Sequence, residues 1–219
     1  VFSGLCSALA LTDAEQKHMG VLVVDIGAGT TEYVVYAEGV IRHTGVLAVG
    51  GDHMTNDLSY GLRIAPARAE LLKREHGAAT LNGAAGQTFT LTSENGFPDR
   101  RVNIEHLRRI MTARLEETFQ LIDDDIGERG FHEQLRAGVK LCGGGARISG
   151  IDKLAEEILG LTACVGRADA IGGLKSATEA PELATAVGLV KYGAIRQKGQ
   201  RRSGLVGKLK NLAGSLKLF

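Results

Sequence analysis

Residues Val21–Tyr33 read Val-Leu-Val-Val-Asp-Ile-Gly-Ala-Gly-Thr-Thr-Glu-Tyr. An apolar run ends on Asp25, passes through Gly27 and Gly29, and meets Thr30 and Thr31 before a second apolar run, Val34-Val35-Tyr36. This is the pattern of a buried strand, a tight glycine turn and a second strand. Glycine lets a backbone approach a bound group closely and leaves amide N–H groups free to point at an anion. Threonine hydroxyls add donors. An Asp at a strand end can hold a hydrated divalent cation, because Mg²⁺ keeps several of its waters. The set suits the phosphates of a nucleotide, although an ordinary hairpin uses the same residue types. Two other phosphate motifs are excluded. No Gly-Lys-Ser/Thr follows, as a Walker loop requires, and the glycines open into a strand where a dinucleotide fingerprint opens into a helix.

The chain has 219 residues, enough for one or two domains with a proper core. A hydrophobic content of 44% with 23% charged residues is ordinary for a soluble globular protein. Cys6, Cys142 and Cys164 are too few and too scattered for a disulfide framework or a zinc site, so a reduced, cytosolic compartment is expected. No stretch approaches the roughly 20 apolar residues that span a bilayer. Val1 stands where an initiator methionine would, so an upstream part is expected. The net charge of +1 is unevenly placed. Of the 26 basic residues, eight lie from Lys191 onward, after the last acidic residue, Glu182; the part before them holds 18 basic against 25 acidic residues. An acidic body with a basic end points to an anionic partner for that end.

Along the chain, Val1–Ala10 reads as a helix, and Thr12-x-x-Glu15 as a capping box for one short helical turn. Strands are expected at 21–26, 31–37 and 39–47, the last two joined by a turn at Glu38-Gly39. Met54, Leu58 and Leu62 recur at helical spacing after Gly50-Gly51, with Asp52 or Thr55 as cap. Pro66 opens a second helix that Gly77 stops. The region 78–103 is Gly-rich, with one alternating run at 88–92. A long helix follows over 104–127, then a short strand at 139–142, a helix over 148–159, a strand over 161–165 and a helix over 182–195. Alternating strands and helices argue for α/β layers with a parallel component.

Three further segments bear on Asp25. Gly50-Gly51 precedes a helix, whose N-terminal amides and dipole suit an anion; an ordinary strand-to-helix turn looks the same. Gly143-Gly144-Gly145-Ala146 permits close approach of a flat ring or a ribose, or simply close strand–helix packing. Glu70 and Lys73 lie three apart on one helix face, where both reach one ligand or both lie in solvent.

Together these residues resemble the second half of the actin-like ATPase family, an α/β fold of the ribonuclease H-like type. Asp25, Gly27, Ala28, Gly29, Thr30 and Thr31 match its second phosphate loop. Gly50-Gly51-Asp52 matches the glycine pair before the next helix, Glu70 and Lys73 its adenosine-side helix, and Gly143–Ala146 its adenosine loop. Residues 184–189 resemble its second connecting helix. Within that superfamily the chain is most similar to the FtsA family of bacterial cell division, notably at 41–44, 54–58, 69–77 and 186–193. The resemblance implies a subdomain 2A at 1–50 and 138–195 and a subdomain 2B at 51–137, with ATP on the residues just named and Mg²⁺ near Asp25 through water. It implies ordering of actin-like polymers, weak hydrolysis at most, and no independent activity of the fragment. The alternative is another actin-like ATPase: a pilus-assembly ATPase, a cell-shape protein or half of a sugar kinase.

The tail reads without the family. After the basic linker 196–203, placing 204–219 on a helix puts Leu205, Val206, Leu209, Leu212, Leu216 and Phe219 on one face, flanked by Lys208, Lys210 and Lys217. Such a helix is roughly 24 Å long, too short to span a bilayer and suited to lying flat on anionic lipid. A helix packed on its own domain has the same pattern. The family has such an amphipathic membrane-targeting helix, and it tethers FtsZ filaments, the Z-ring, to the cytoplasmic face of the membrane at the division site. The resemblance further implies contacts with other division proteins, and binding of the acidic FtsZ C-terminal tail on 2B, where Arg108, Arg109, Arg114 and Glu117 fall. These charges would equally pair among themselves on a solvated helix. Nucleic acid is not expected, because the body is acidic and the tail lacks aromatics apart from Phe219.

Overall fold

The computed structural model describes residues 1–92, 99–168 and 180–197. The expected amphipathic helix at 204–219 lies outside them. One five-stranded sheet organises the chain. Its strands are β1 (Val21–Ile26), β2 (Thr31–Ala37), β3 (Val40–Leu47), β6 (Val139–Cys142) and β7 (Ala163–Val165), in the spatial order β3-β2-β1-β6-β7. The hairpins β1–β2 and β2–β3 are antiparallel, whereas β1–β6 and β6–β7 are parallel. The apolar run that ends on Asp25 is thus the central strand, buried on both faces.

Alternation along β1 assigns the two faces. Leu22, Val24 and Ile26 pack with buried residues of α3 (Gly51–Leu62), α4 (Pro66–His76), α5 (Ile104–Glu128) and α6 (Ile151–Leu159). Val21 and Val23 pack with α1 (Ser3–Leu11) and α7 (184–197), through Ala8, Ala10, Leu11 and Ala184. Asp25 has the parity of the second set. In α5, Leu107, Met111, Leu115, Phe119, Ile122 and Ile126 recur every three or four residues and are fully buried; each contributes about 1.5–3 kcal/mol by burial. The Asn103 side chain accepts from the Glu105 amide and caps this helix.

A side-chain cluster fastens α5 to the large sheet. The Tyr33 hydroxyl donates to Asp125 Oδ2 at 2.6 Å, and His43 Nε2 stands at 2.6 Å from the same oxygen. Burial would raise the Asp125 pKa, but hydrogen bonds from Tyr33, His43 and Arg129 outweigh it and hold the carboxyl below its usual range. Gly45, paired with Tyr33 across β2–β3, leaves room for the ring; a Cβ there would lie 2.1 Å from Tyr33 Cζ.

Several boundaries differ from the sequence expectations. The short helix α2 (Ala14–Met19) is capped by Asp13 and Gln16, not from Thr12, whose hydroxyl returns to the Ala8 carbonyl. Neither Asp52 nor Thr55 caps α3. Its first residue follows Gly50, whose amide donates to His53 Nδ1 at 3.2 Å, and Thr55 sits inside the helix. The 88–92 run is β4 (Thr88–Leu91), and it has an unanticipated partner, β5 (Arg100–Asn103), in which only Val102 is buried. Helix α6 begins at Ile151, not 148, because Gly150 takes φ 77° and Ser149 bridges to Ala78. Strand β7 is shorter than expected, since Gly160 ends α6 in a left-handed conformation and the chain joins the sheet only at Ala163. Residues Pro181–Leu183 form a 3₁₀ turn, and α7 extends through 197, absorbing the start of the expected linker.

Candidate functional site

The turn between β1 and β2, the start of α3, the inner face of α4 and the loop after β6 converge on one cavity of about 630 Å³, lined among others by Gly27, Ala28, Gly51, Glu70, Lys73 and Gly144. That volume is in the range of small-molecule sites. Ala28, Gly29 and Thr30 are exposed, and their amides donate to no carbonyl of the described backbone. Ala28 lines the cavity and Gly29 and Thr30 follow it on the same turn, so the described backbone leaves three donors there for an anion.

The turn is held in place by the residues around it. Gly51 and Asp52 donate their amides to the carbonyls of Gly27 and Ala28 at 2.9 and 2.8 Å. The first amides of α3 are thus spent on the turn and not left for a ligand, contrary to the expectation for this glycine pair. Gly50 must be glycine, because a Cβ would lie 2.5 Å from the Ala28 carbonyl oxygen. Thr31 is buried and donates its hydroxyl to the Val49 carbonyl, so it braces the turn from behind.

On α4, Lys73 Nζ donates to the Gly51 carbonyl at 2.9 Å and to Thr55 Oγ1 at 2.8 Å, and stands 2.5 Å from Glu70 Oε2. Burial would raise the Glu70 pKa, but hydrogen bonds from Lys73, Thr55 and Arg74, with the Lys73 charge, bring it down to about 2. Glu70 is therefore an anion and a fixed acceptor at neutral pH. The triple glycine divides its roles. Gly143 and Gly145 are buried against β1, where a Cβ would meet Asp25 Oδ1 at 2.4 Å and Ile26 Cγ2 at 2.3 Å respectively. Ala146 is buried as well. Gly144 is exposed, with nothing within 4 Å of an added Cβ, and forms open wall. At the rim Arg147 and Glu182 form a two-pronged ion pair, Nε to Oε2 at 2.7 Å. Hydrogen bonding from Arg147 holds the Glu182 carboxyl below its usual range.

Asp25 is not part of the cavity wall. It is half-buried on the other face of β1, with Oδ2 accepting from Ser7 and Thr185. Among the described residues no group of three or more His, Cys, Asp or Glu is placed to hold a metal ion.

Residues 22–188 match the sequence profile of "Cell division protein FtsA". The chain belongs to the FtsA family. It is 33% identical over 198 residues to the cell division protein FtsA of Pseudomonas aeruginosa, covering 90% of this chain and 48% of that protein. It is 37% identical over 190 residues to that of Agrobacterium fabrum, covering 85% and 43%. The chain thus spans about half the length of the curated relatives it matches. Its fold is actin-like: it superposes with a TM-score of 0.75 on MreB5 of Spiroplasma citri, crystallised bound to ADP, at 20% identity over 92% of this chain and 61% of that one.

Four further candidate residues of this FtsA-family chain lie on α5, away from the cavity. Arg114 is bonded through Nε and Nη2 to Asp57 and through Nη1 to Glu117. Arg108 donates to the carbonyls of His76 and Asn82, and Arg109 pairs with Glu105 while staying largely exposed. All four charges have partners within the chain. Sequence reasoning missed Ser7, Thr55, Arg147, Glu182 and Thr185. Each is an ordinary residue in its own segment and gains its role only from a contact made in the fold.

Proposed function

We propose that this chain supplies one wall of the ATP site of an FtsA-type actin-fold protein that anchors FtsZ filaments to the cytoplasmic membrane at the division site. The observation that carries the nucleotide reading is the meeting of the turn at Gly27–Ala28, the Glu70–Lys73 pair tied to Thr55 and the open Gly144 on one cavity, with the exposed Gly29 and Thr30 next along the turn. The phosphates would lie on the amides of 28–30 and the adenosine between Glu70, Lys73 and Gly144–Gly145. Thr31, Gly50, Gly51, Gly143 and Ala146 would shape the site from behind. A single half-buried carboxylate fits Mg²⁺ held mainly by water and phosphate oxygens, and Asp25 would be that carboxylate. The ion would neutralise phosphate charge. ATP would order polymers of the protein, with hydrolysis weak at most.

The two sheets support the division into a 2A part, 1–50 with 138–195, and a 2B part, 51–137. Of the three candidate arginines on 2B, Arg109 is the best exposed to meet the acidic FtsZ tail, while Arg108, Arg114 and Glu117 frame that face. The 204–219 segment would lie in the membrane surface through Leu205, Val206, Leu209, Leu212, Leu216 and Phe219, with Lys208 and Lys210 toward anionic headgroups. No helix among the described residues is long and apolar enough to cross a membrane. Co-sedimentation of the whole protein with anionic vesicles, with and without 204–219, tests the tether: pelleting should depend on the segment, and equal pelleting of both forms refutes it. For the nucleotide, Asp25→Ala should weaken Mg·ATP binding, and unchanged affinity refutes the assignment of Asp25.

A further inference from the structure

We infer that Ser7 and Thr185 are positioning residues for Asp25, fixing its carboxylate so that one oxygen, Oδ1, is presented to the water shell of the nucleotide's divalent cation. The inference rests on the nucleotide reading above and adds to it two residues from distant parts of the chain. Ser7 Oγ stands 2.5 Å and Thr185 Oγ1 2.8 Å from the same oxygen, Oδ2, and the two hydroxyls are 2.8 Å from each other. The donors thus converge on one side of the carboxylate. The other oxygen, Oδ1, lies beside Gly143, where only glycine fits because a Cβ would come within 2.4 Å of it.

The two hydroxyls are themselves held by a tight helix crossing. Thr185, Gly188 and Lys191 recur every three residues along one face of α7. A Cβ on Gly188 would lie 1.7 Å from the Cys6 carbonyl oxygen, so α7 rests directly on the backbone of α1 beside Ser7. One turn on, Lys191 Nζ donates to the Ala10 carbonyl at 3.2 Å. Ser7 is fully buried, and so is Cys142, which pairs with Asp25 across β1–β6. An outer-shell carboxylate that accepts water protons from a cation works best when its plane is fixed by partners behind it, as hydrogen-bonded partners fix metal ligands generally. Asp25 has that support from two hydroxyls.

The test is ATP binding by the whole protein that carries this sequence, titrated against Mg²⁺ and repeated in EDTA. It compares wild type with Ser7→Ala, Thr185→Val, the double variant and Thr185→Ser, each shown folded by circular dichroism. The double variant should need about tenfold more Mg²⁺ to reach half of its effect on ATP affinity, the order expected when hydrogen bonds to a charged acceptor are lost. Thr185→Ser should restore the wild-type Mg²⁺ requirement, and affinity in EDTA should not change. A double variant that binds ATP with the wild-type Mg²⁺ requirement overturns this inference alone. A wild-type protein that binds no ATP under either condition overturns the nucleotide reading, and the inference with it.

Discussion

Lys73 stands 2.5 Å from Glu70 on its own helix and donates to the Gly51 carbonyl of the neighbouring one, so a single ammonium group joins α4 to the first turn of α3. That turn in turn holds the Gly27–Ala28 backbone through two amides. One wall of the cavity therefore sets the position of the next.

Replacing Lys73 by Met should expose this dependence. The Glu70 carboxylate loses its main partner while still partly buried, a loss on the order of 1–3 kcal/mol at neutral pH. The Glu70 pKa is about 2 in the fold against an ordinary 4.5. Because the folded value is depressed, its contribution is complete above about pH 4.5 and fades as pH falls toward 2. Urea denaturation from neutral pH down to about pH 3 should show the wild type losing part of its stability over the acid end of that window. Lys73→Met should start lower and decline less steeply there.

The glycines of the 143–145 loop should separate in a mutational test. Gly145→Ala places a Cβ 2.3 Å from Ile26 Cγ2 and should cost about 1–3 kcal/mol through overpacking. Gly144→Ala meets nothing within 4 Å and should leave the denaturation midpoint unchanged. Chemical denaturation of the two variants side by side is sufficient.

Tyr33→Phe removes a hydroxyl that donates to Asp125 at 2.6 Å. The partly buried carboxylate keeps His43 and Arg129 but loses a donor, and the protein should lose about 1–2 kcal/mol. The same experiment on Tyr36, which has no hydrogen bond to Asp125, provides the contrast: Tyr36→Phe should leave the pH dependence of stability in the acid range unaltered, whereas Tyr33→Phe should shift it.

On α5 the arginines should divide by their present partners. Arg114→Ala strips Asp57 of a two-pronged partner and should cost about 1–2 kcal/mol, less than a fully buried pair. Arg109 is exposed and among the described residues pairs with Glu105 on its own helix, so Arg109→Ala should change stability by less than about 0.5 kcal/mol. If the acidic FtsZ tail docks here, Arg109→Ala should weaken binding of the tail peptide and reduce its salt dependence, read by fluorescence anisotropy. Unchanged affinity at low salt would remove Arg109 from the contact.

The strands and long helices were legible because their signals are local. The apolar run of β1, the Glu38-Gly39 turn and the periodicity of α5 each lie within one segment. The glycine turn between β1 and β2 was legible for the same reason. What could not be read is where each polar group spends its hydrogen bonds. Thr31 and the α3 amides look like ligand donors in the sequence and are spent on Val49, Gly27 and Ala28 in the fold. Asp25 looked like part of the cavity, but its parity on β1 puts it on the opposite face from Leu22, Val24 and Ile26, beside α1 and α7. Ser7 and Thr185 are 178 residues apart, and nothing in either segment marks them as partners. Strand β5 was missed because only Val102 of its four residues is buried, so it carries no alternation to detect.

The central claim is that the cavity bounded by the 27–30 turn, Glu70 and Lys73, and Gly144 is one wall of an ATP site. Calorimetric titration of Mg·ATP into the whole protein, wild type against Gly144→Val, tests it most directly, because Gly144 faces open space and a side chain there fills only the proposed ligand volume. The account predicts a variant as stable as wild type with ATP affinity reduced tenfold or more, in the range of ~1.4 kcal/mol and above. A folded Gly144→Val protein that binds ATP with wild-type affinity would contradict it.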